Sequence, residues 1–118
     1  MPEQPDGKIP PRPKPETRER RASLWWLYIA NCDGRLYTGI TTDVPRRINE
    51  HRRGLARAAR FTRAAKEVEL VYHASVGDRA TALRLERRVK RLPRERKQAL
   101  VNEAPDGHTL VQRLLAEA

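Results

Sequence analysis

The sequence predicts an α+β fold, in which a small, mainly antiparallel sheet of three strands carries helices in the chain order β-β-α-β-α-α. Three observations support this fold. Two runs rich in aromatic and β-branched residues flank the dipeptide Asp33-Gly34, and a third run, over residues 68–75, alternates between apolar and polar side chains. Between and after these runs, apolar residues recur at helical spacing behind helix-start residues.

The first two strands are predicted at residues 24–31 and 35–42, because the segments LWWLYIAN and RLYTGITT favour extended structure. Asp33-Gly34 suits the two positive-φ positions of a type I′ turn, which makes a two-residue hairpin the most economical connection. In the register of such a hairpin, Tyr28 lies opposite Gly39 and Ala30 lies opposite Tyr37.

Capping residues and apolar spacing predict three helices after the hairpin. The helices cover residues 44–53, 79–92 and 94–104, with Asp43 or Thr42 capping the first and Asp78 the second. We predict one folded domain over residues 23–104, followed by a C-terminal extension, residues 105–118, with helical character.

Residues 1–22 are rich in proline and charge and contain almost no large apolar side chains. A segment of this composition cannot bury enough surface to offset the entropy cost of ordering the chain. We therefore predict a disordered basic arm over residues 1–22. The rest of a chain of 118 residues has room for one small hydrophobic core.

The chain is strongly basic, with 25 Lys and Arg against 15 Asp and Glu, a net charge of +10. Such a charge favours a polyanionic partner, but by itself it does not distinguish DNA, RNA and anionic lipid. The longest apolar run, residues 24–30, is much shorter than the roughly 20 residues that a membrane span needs. Cys32 is the single cysteine, which excludes an internal disulfide. We expect a cytoplasmic protein without a membrane segment.

The predicted hairpin places Tyr28 and Tyr37 on one face of the sheet as diagonal neighbours, about 7–8 Å apart at the backbone. Gly39 opposite Tyr28 has a structural role here, because it leaves space around the ring. A cross-strand tyrosine pair commonly only packs. Leu27, Ile29 and Ile40 share the opposite face, however, so we expect the core on that side and the phenols free to meet a ligand.

These residues resemble the GIY-YIG nuclease family, whose two short strand motifs appear here as Leu27-Tyr28-Ile29 and Tyr37-Thr38-Gly39. The segment YTGITTDVPRRINEH resembles the family's second motif, loop and first helix. The later segment ELVYHASVGDRATALRLERRVKRL is similar to the third strand and second helix of small stand-alone bacterial members. The resemblance covers roughly residues 24–104 and implies a nuclease that hydrolyses phosphodiester bonds, with DNA as the expected partner and RNA not excluded.

The resemblance also implies roles for particular side chains. It implies Tyr28 as the general base, Tyr37 as a group that orients water or phosphate, Arg47 as a phosphate ligand and His51 as a group that polarises or protonates an oxygen. Glu86 is implied as the ligand of a Mg²⁺ or Mn²⁺ ion, and a hard carboxylate oxygen suits either cation. From the residues alone, a salt bridge from Glu86 to Lys90 and a solvated basic helix around Arg47 stay open as alternatives.

A basic segment follows the second strand, with eight Lys and Arg against one acid between residues 46 and 66. This excess of positive charge predicts a track for the phosphate backbone. Besides Arg47, its predicted nucleic-acid-binding members are Arg46, Arg52, Arg53, Arg57, Arg60, Arg63 and Lys66.

Three functions stay open at this point: a metal-dependent endonuclease, structure-specific or linked to DNA repair; a nucleic-acid-binding module without cleavage; and a basic structural or ribosome-associated protein. Some family members place an asparagine late in the domain, and we assign no role to Asn102, the one candidate here. The resemblance includes no second DNA-binding domain, so a protein partner for targeting is possible.

Overall fold

The structure is a computed structural model and describes residues 24–53 and 67–115. The strands are β1 (Trp25–Cys32), β2 (Arg35–Thr41) and β3 (Val68–Gly77). The helices are α1 (Val44–Arg52), α2 (Arg79–Arg91), α3 (Arg94–Glu103) and α4 (Gly107–Leu115). One three-stranded sheet with flanking helices confirms the predicted α+β class. Within the described ranges, no helix has the length and apolar character that crossing a membrane requires. The predicted arm, residues 1–22, lies outside those ranges.

The sheet has the order β2-β1-β3, and both neighbouring pairs are antiparallel. Tyr28 pairs with Gly39 and Ala30 with Tyr37, as the two-residue turn predicts. Asp33 and Gly34 have φ angles of 54° and 93°, the left-handed values that a type I′ turn demands at both positions. The backbone N–H of Gly34 also donates to the Asn31 side chain at 2.7 Å, which steadies the turn.

Asp33 also connects the hairpin turn to the start of β3. Its backbone N–H donates to the Glu67 carbonyl at 3.2 Å, and its Oδ1 accepts from the Glu67 N–H at 2.9 Å. On the other side of the turn, Nη1 of Arg94 donates to the Gly34 carbonyl at 2.8 Å. The turn therefore joins β1, β2, the start of β3 and the start of α3.

The sheet is covered on both faces. One core contains Leu27 and Ile29 and lies beneath α2 and α4. A second core contains Tyr28 and Ala30 and lies beneath Val44 and Ile48 of α1. The expectation that the apolar core occupies only the face of Leu27 and Ile29 is therefore wrong, because α1 folds back over the tyrosine face and removes it from water.

Aspartates cap three of the helices. Asp43 accepts from the Arg46 N–H at 3.1 Å, Asp78 from Thr81 at 2.9 Å and Asp106 from Thr109 at 2.8 Å. Each bond satisfies a backbone donor that the first turn leaves without a partner, and a cap of this kind contributes about 1 kcal/mol. The caps fix where α1 and α2 begin, and both carry residues of the candidate site.

The hydrophobic core continues beyond residue 104. Leu110 of α4 is fully buried in the core that contains Leu27. Just before α4, the Tyr72 hydroxyl donates to the Pro105 carbonyl at 2.6 Å. At Gly107, a Cβ atom would lie 1.7 Å from the Ser75 carbonyl oxygen, so only glycine permits this approach. Residues 107–115 therefore pack as part of the domain.

Leu110→Ala tests whether α4 belongs to the core. We expect the free energy of unfolding to fall by about 2–5 kcal/mol, because the change leaves a cavity in a fully buried position. Urea denaturation measures it, with Leu115→Ala, at a half-buried position of the same helix, as the control. Equal, small losses in both variants would show that α4 is not docked as described.

Candidate active site

Tyr28 lies in the middle of the central strand and is fully buried. Its ring crosses directly over Gly39, so that a Cβ atom at residue 39 would lie 2.5 Å from the Tyr28 hydroxyl oxygen. Contacts this short are not tolerated between a hydroxyl and a methyl carbon. The absence of a side chain at residue 39 therefore sets the direction of the phenol, which points towards β2 and the end of α1.

His51 meets the Tyr28 hydroxyl from the last turn of α1. Its Nε2 atom lies 2.9 Å from the Tyr28 oxygen, and its side chain is almost completely buried. The Tyr37 ring packs edge-on against His51 with 5.1 Å between centroids, and it lies 6.3 Å from the Tyr28 ring. Three of the predicted site residues therefore form one aromatic cluster.

Burial sets the protonation of this cluster. Loss of solvent raises the pKa of the Tyr28 phenol well above its usual range, and the nearby Tyr37 adds to the shift. Loss of solvent also lowers the pKa of His51 to about 4, with a further contribution from the positive charge of Arg47. At neutral pH the pair therefore consists of a neutral phenol and a neutral imidazole.

Arg47 lies at the border between this cluster and solvent, and about a quarter of its side chain is exposed. Its guanidinium partly opposes the rise in the Tyr28 pKa, because it stabilises the phenolate by hydrogen bonding and by charge. Arg47 also pairs with Glu50 at 3.3 Å, and Arg46 pairs with the same carboxylate at 3.6 Å. This role of Glu50 was not predicted from the sequence, although the spacings of three and four residues on a helix favour both pairs.

Glu86 lies on α2, which packs on the other side of the sheet. Its negative charge contributes to the raised pKa of Tyr28, so the carboxylate lies within electrostatic reach of the phenol. It also pairs with Lys90 at 3.3 Å, as the alternative drawn from the sequence expects. Lys90 is half exposed and Glu86 is mostly covered. A helix pair at this spacing with one partner in solvent contributes only about 0.3–0.5 kcal/mol.

Glu86 is the one carboxylate that the family resemblance implies as the ligand of a divalent cation. Across the two described ranges, no group of three or more His, Cys, Asp or Glu residues is placed to hold a metal ion. Mg²⁺ commonly keeps several waters and takes one or two carboxylates from the protein. A single carboxylate is compatible with that mode of binding.

The structure describes only some of the residues that are predicted to contact phosphate in the basic segment. Arg46 and Arg53 are exposed at the two ends of α1, whereas Nε of Arg52 donates to the Val68 carbonyl at 3.0 Å and ties α1 to β3. The remaining members of the basic segment, Arg57, Arg60, Arg63 and Lys66, lie outside the described residues. Their contact with nucleic acid stays a prediction.

One aromatic pair beside the site was not predicted. His73 pairs with Tyr28 across β1 and β3, and its ring lies 5.7 Å from that of Trp26. Trp26 and Tyr28 share a face because they are two residues apart on a strand. The pairing of β1 with β3 changes register between Ile29 and Ala30. The partner of Tyr28 on β3 therefore could not be predicted from the spacing of residues in the sequence.

A family model described as the GIY-YIG catalytic domain matches residues 24–99. A UPF0213 protein of Yersinia enterocolitica is 49% identical over 86 residues, which cover 72% of this chain and 87% of that protein. A UPF0213 protein of Yersinia pseudotuberculosis is 49% identical over 84 residues, covering 70% and 86% of the two chains. The solution NMR structure of a UPF0213 protein from Bacillus halodurans has 35% sequence identity and a TM-score of 0.45, and the match covers 78% of this chain and 97% of that one.

The lowered pKa of His51 predicts a pH dependence of stability. Between pH 6.5 and about 4 the unfolded chain binds a proton at residue 51 and the folded chain does not, so this contribution to stability is lost as the pH falls through that window. The loss amounts to about 3 kcal/mol. We expect His51→Gln, which does not titrate, to flatten the difference in unfolding free energy between pH 7 and pH 4.5. An unchanged slope in the variant would contradict the burial of a neutral His51.

Proposed function

Because this chain belongs to the GIY-YIG catalytic-domain family, we propose that it is a metal-dependent endonuclease that hydrolyses phosphodiester bonds in DNA. The observation that carries the proposal is the hydrogen bond between Tyr28 and His51, with a guanidinium on one side and a carboxylate on the other. A neutral proton donor and acceptor pair beside one cation and one anion suits the hydrolysis of a phosphate ester.

The hydrogen-bond directions follow from the chemistry of Arg47. A guanidinium has no acceptor atom, so the phenol of Tyr28 cannot donate its hydrogen to Arg47. The unprotonated Nε2 of a neutral His51 is the acceptor within reach, at 2.9 Å. His51 then carries its own proton on Nδ1.

This arrangement supports a relay of protons. As a water attacks phosphorus, it passes a proton to the Tyr28 oxygen while the phenol proton moves to Nε2 of His51. The water oxygen bonds to phosphorus, the bond to the leaving oxygen breaks, and the leaving oxygen takes a proton from solvent. His51 then releases the proton on Nε2 to solvent, which restores the neutral pair. Arg47 binds the phosphoryl oxygens whose negative charge grows in the transition state, which a planar guanidinium does with two hydrogen bonds.

Glu86 would hold the divalent cation, Mg²⁺ or Mn²⁺. When bound, the cation supplies positive charge that favours the attacking and leaving oxygens. Lys90 would have to release the Glu86 carboxylate, and an exposed ion pair permits this at small cost.

One observation favours a second candidate, a binding module that does not cleave. The Tyr28 side chain has no solvent exposure, and its pKa is raised rather than lowered. A phenol in this state reacts only if substrate binding opens the cluster or if Arg47 and a bound cation lower its pKa. A cleavage assay separates the two functions.

Tyr28→Phe is the direct test of the relay. With Mg²⁺ and a labelled DNA duplex, we expect the variant to lose cleavage by about 100-fold or more, while binding in chelator stays close to wild type. Tyr72→Phe is the matched control, because Tyr72 is also a buried tyrosine with one hydrogen bond, on the other side of the sheet. Both variants should lose a similar part of their stability, but only Tyr28→Phe should lose cleavage. Equal cleavage by wild type and Tyr28→Phe, or none in either with binding intact, would contradict the nuclease proposal.

Glu86→Gln tests the metal ligand. We expect the variant to need about 10-fold or more Mg²⁺ for half-maximal cleavage, since a neutral amide is a weaker ligand than a carboxylate. Titration with Mn²⁺, followed by the electron paramagnetic resonance of the free ion, should show the same loss of affinity without any cleavage. Glu95→Gln, at an exposed position of α3, is the control. The assignment fails if both variants bind Mn²⁺ like the wild type.

A further inference from the structure

Exposed arginines form a stripe along the solvent side of α2. They recur at spacings of three and four residues, so they share one face of the helix. That face is opposite the residues of α2 that are buried in the core. Its members, termed the arginine stripe, are Arg84, Arg87, Arg88 and Arg91.

The charge of the stripe is not balanced by acidic side chains in the described part of the chain. α2 carries six Lys and Arg against one acid, Glu86, and that acid pairs with Lys90. Among residues 24–53 and 67–115, no stripe arginine forms an ion pair with a carboxylate. Like charges three and four residues apart on a helix repel and cost stability. An anionic partner on this face would remove that cost.

The stripe lies on the opposite side of the sheet from α1. Ile48 of α1 packs over the face that carries Tyr28, whereas Leu85 of α2 packs over the face that carries Leu27. The solvent sides of the two helices therefore point away from each other. A straight segment of nucleic acid that lies along the solvent side of α1 cannot also lie along the stripe.

We propose that the arginine stripe is a second phosphate-backbone contact, which holds a segment of nucleic acid separate from the one at Tyr28. The choice of nucleic acid as the partner rests on the proposed function. Guanidinium groups bind phosphate oxygens in pairs of hydrogen bonds. The stripe is about 10 Å long at the helical rise, and each strand of a duplex carries one charge per about 3.4 Å of axis. Two or three phosphates can therefore lie against it.

The test counts short duplexes per protein chain. A duplex of about 10 base pairs is one helical turn, or about 34 Å, which is long enough for one face of this domain and too short to bend around to the other. We expect native mass spectrometry in chelator to show two duplexes on each wild-type chain. We expect one duplex on R84Q/R87Q/R91Q; Arg88 is kept because it donates to the Leu114 carbonyl.

The same variant should change the salt dependence of binding. Removing contacts to two or three phosphates should reduce the slope of log affinity against log salt by about 2–3. R96Q/K97Q/R113Q removes the same charge from α3 and α4 and should keep two duplexes and most of the slope. Since the replaced stripe residues are exposed, the melting temperature should stay close to wild type.

The inference is overturned if the wild type binds only one duplex, if the stripe variant still binds two, or if the control variant loses the second duplex as well. It is also overturned if the stripe variant loses binding to vesicles containing phosphatidylglycerol but keeps both duplexes, because the partner would then be a membrane surface. Cleavage is scored separately. If the stripe variant loses the second duplex but cleavage does not depend on Tyr28, the result supports the stripe and contradicts the nuclease proposal. If the stripe variant keeps both duplexes and cleavage depends on Tyr28, the result contradicts the stripe alone.

Discussion

The hydrogen bond between the Tyr28 hydroxyl and Nε2 of His51 joins the sheet to α1 in the middle of a buried cluster. It forms because Gly39 leaves room for the Tyr28 ring to cross β2, and because the buried face of α1 places residue 51 one turn beyond Ile48. If residue 39 carried a side chain, the Tyr28 ring would have to move, and Nε2 of His51 would lose its hydrogen bond to Tyr28 in a buried position. A buried polar group without a partner costs about 1–3 kcal/mol. The packing of α1 against the sheet and the geometry of the candidate site therefore depend on the same hydrogen bond.

The same burial determines which protonation states are available to the site. Desolvation disfavours both the phenolate of Tyr28 and the imidazolium of His51. The positive charge of Arg47 favours the phenolate of Tyr28 and disfavours the imidazolium of His51. The resting pair of Tyr28 and His51 is therefore neutral. In the proposed nuclease, reaction would require a change in the surroundings of this pair: a phosphate against Arg47, a cation at Glu86, or both.

Much of the fold was predictable from local signals. The Asp33-Gly34 turn fixed the register of β1 and β2, and the aspartate caps fixed the starts of α1 and α2. The second core was not predicted, because alternation along β1 shows which residues share a face but not whether a later helix covers that face. Only the path of the chain after Asp43 decides that α1 returns over Tyr28.

In the candidate site, too, local features were predictable from the sequence and long-range contacts were not. The spacing on α1 correctly placed Arg47 and His51 on one face, and family resemblance pointed to Glu86 although its helix packs on the opposite side of the sheet. The partner of Tyr28 on β3 depends on an irregularity in the pairing that no periodicity predicts. Long-range contacts of this kind are set by packing, whereas turns, caps and helix faces are set by neighbouring residues.

The protonation of His51 is the property on which this account most directly depends. Two-dimensional ¹⁵N NMR of the imidazole ring reports both its charge and which nitrogen carries the proton. We predict that His51 stays neutral at pH 5, because burial lowers its pKa to about 4, and that its proton is on Nδ1 while Nε2 accepts from Tyr28. A His51 that becomes protonated near pH 6.5, the value of an exposed histidine, would contradict it.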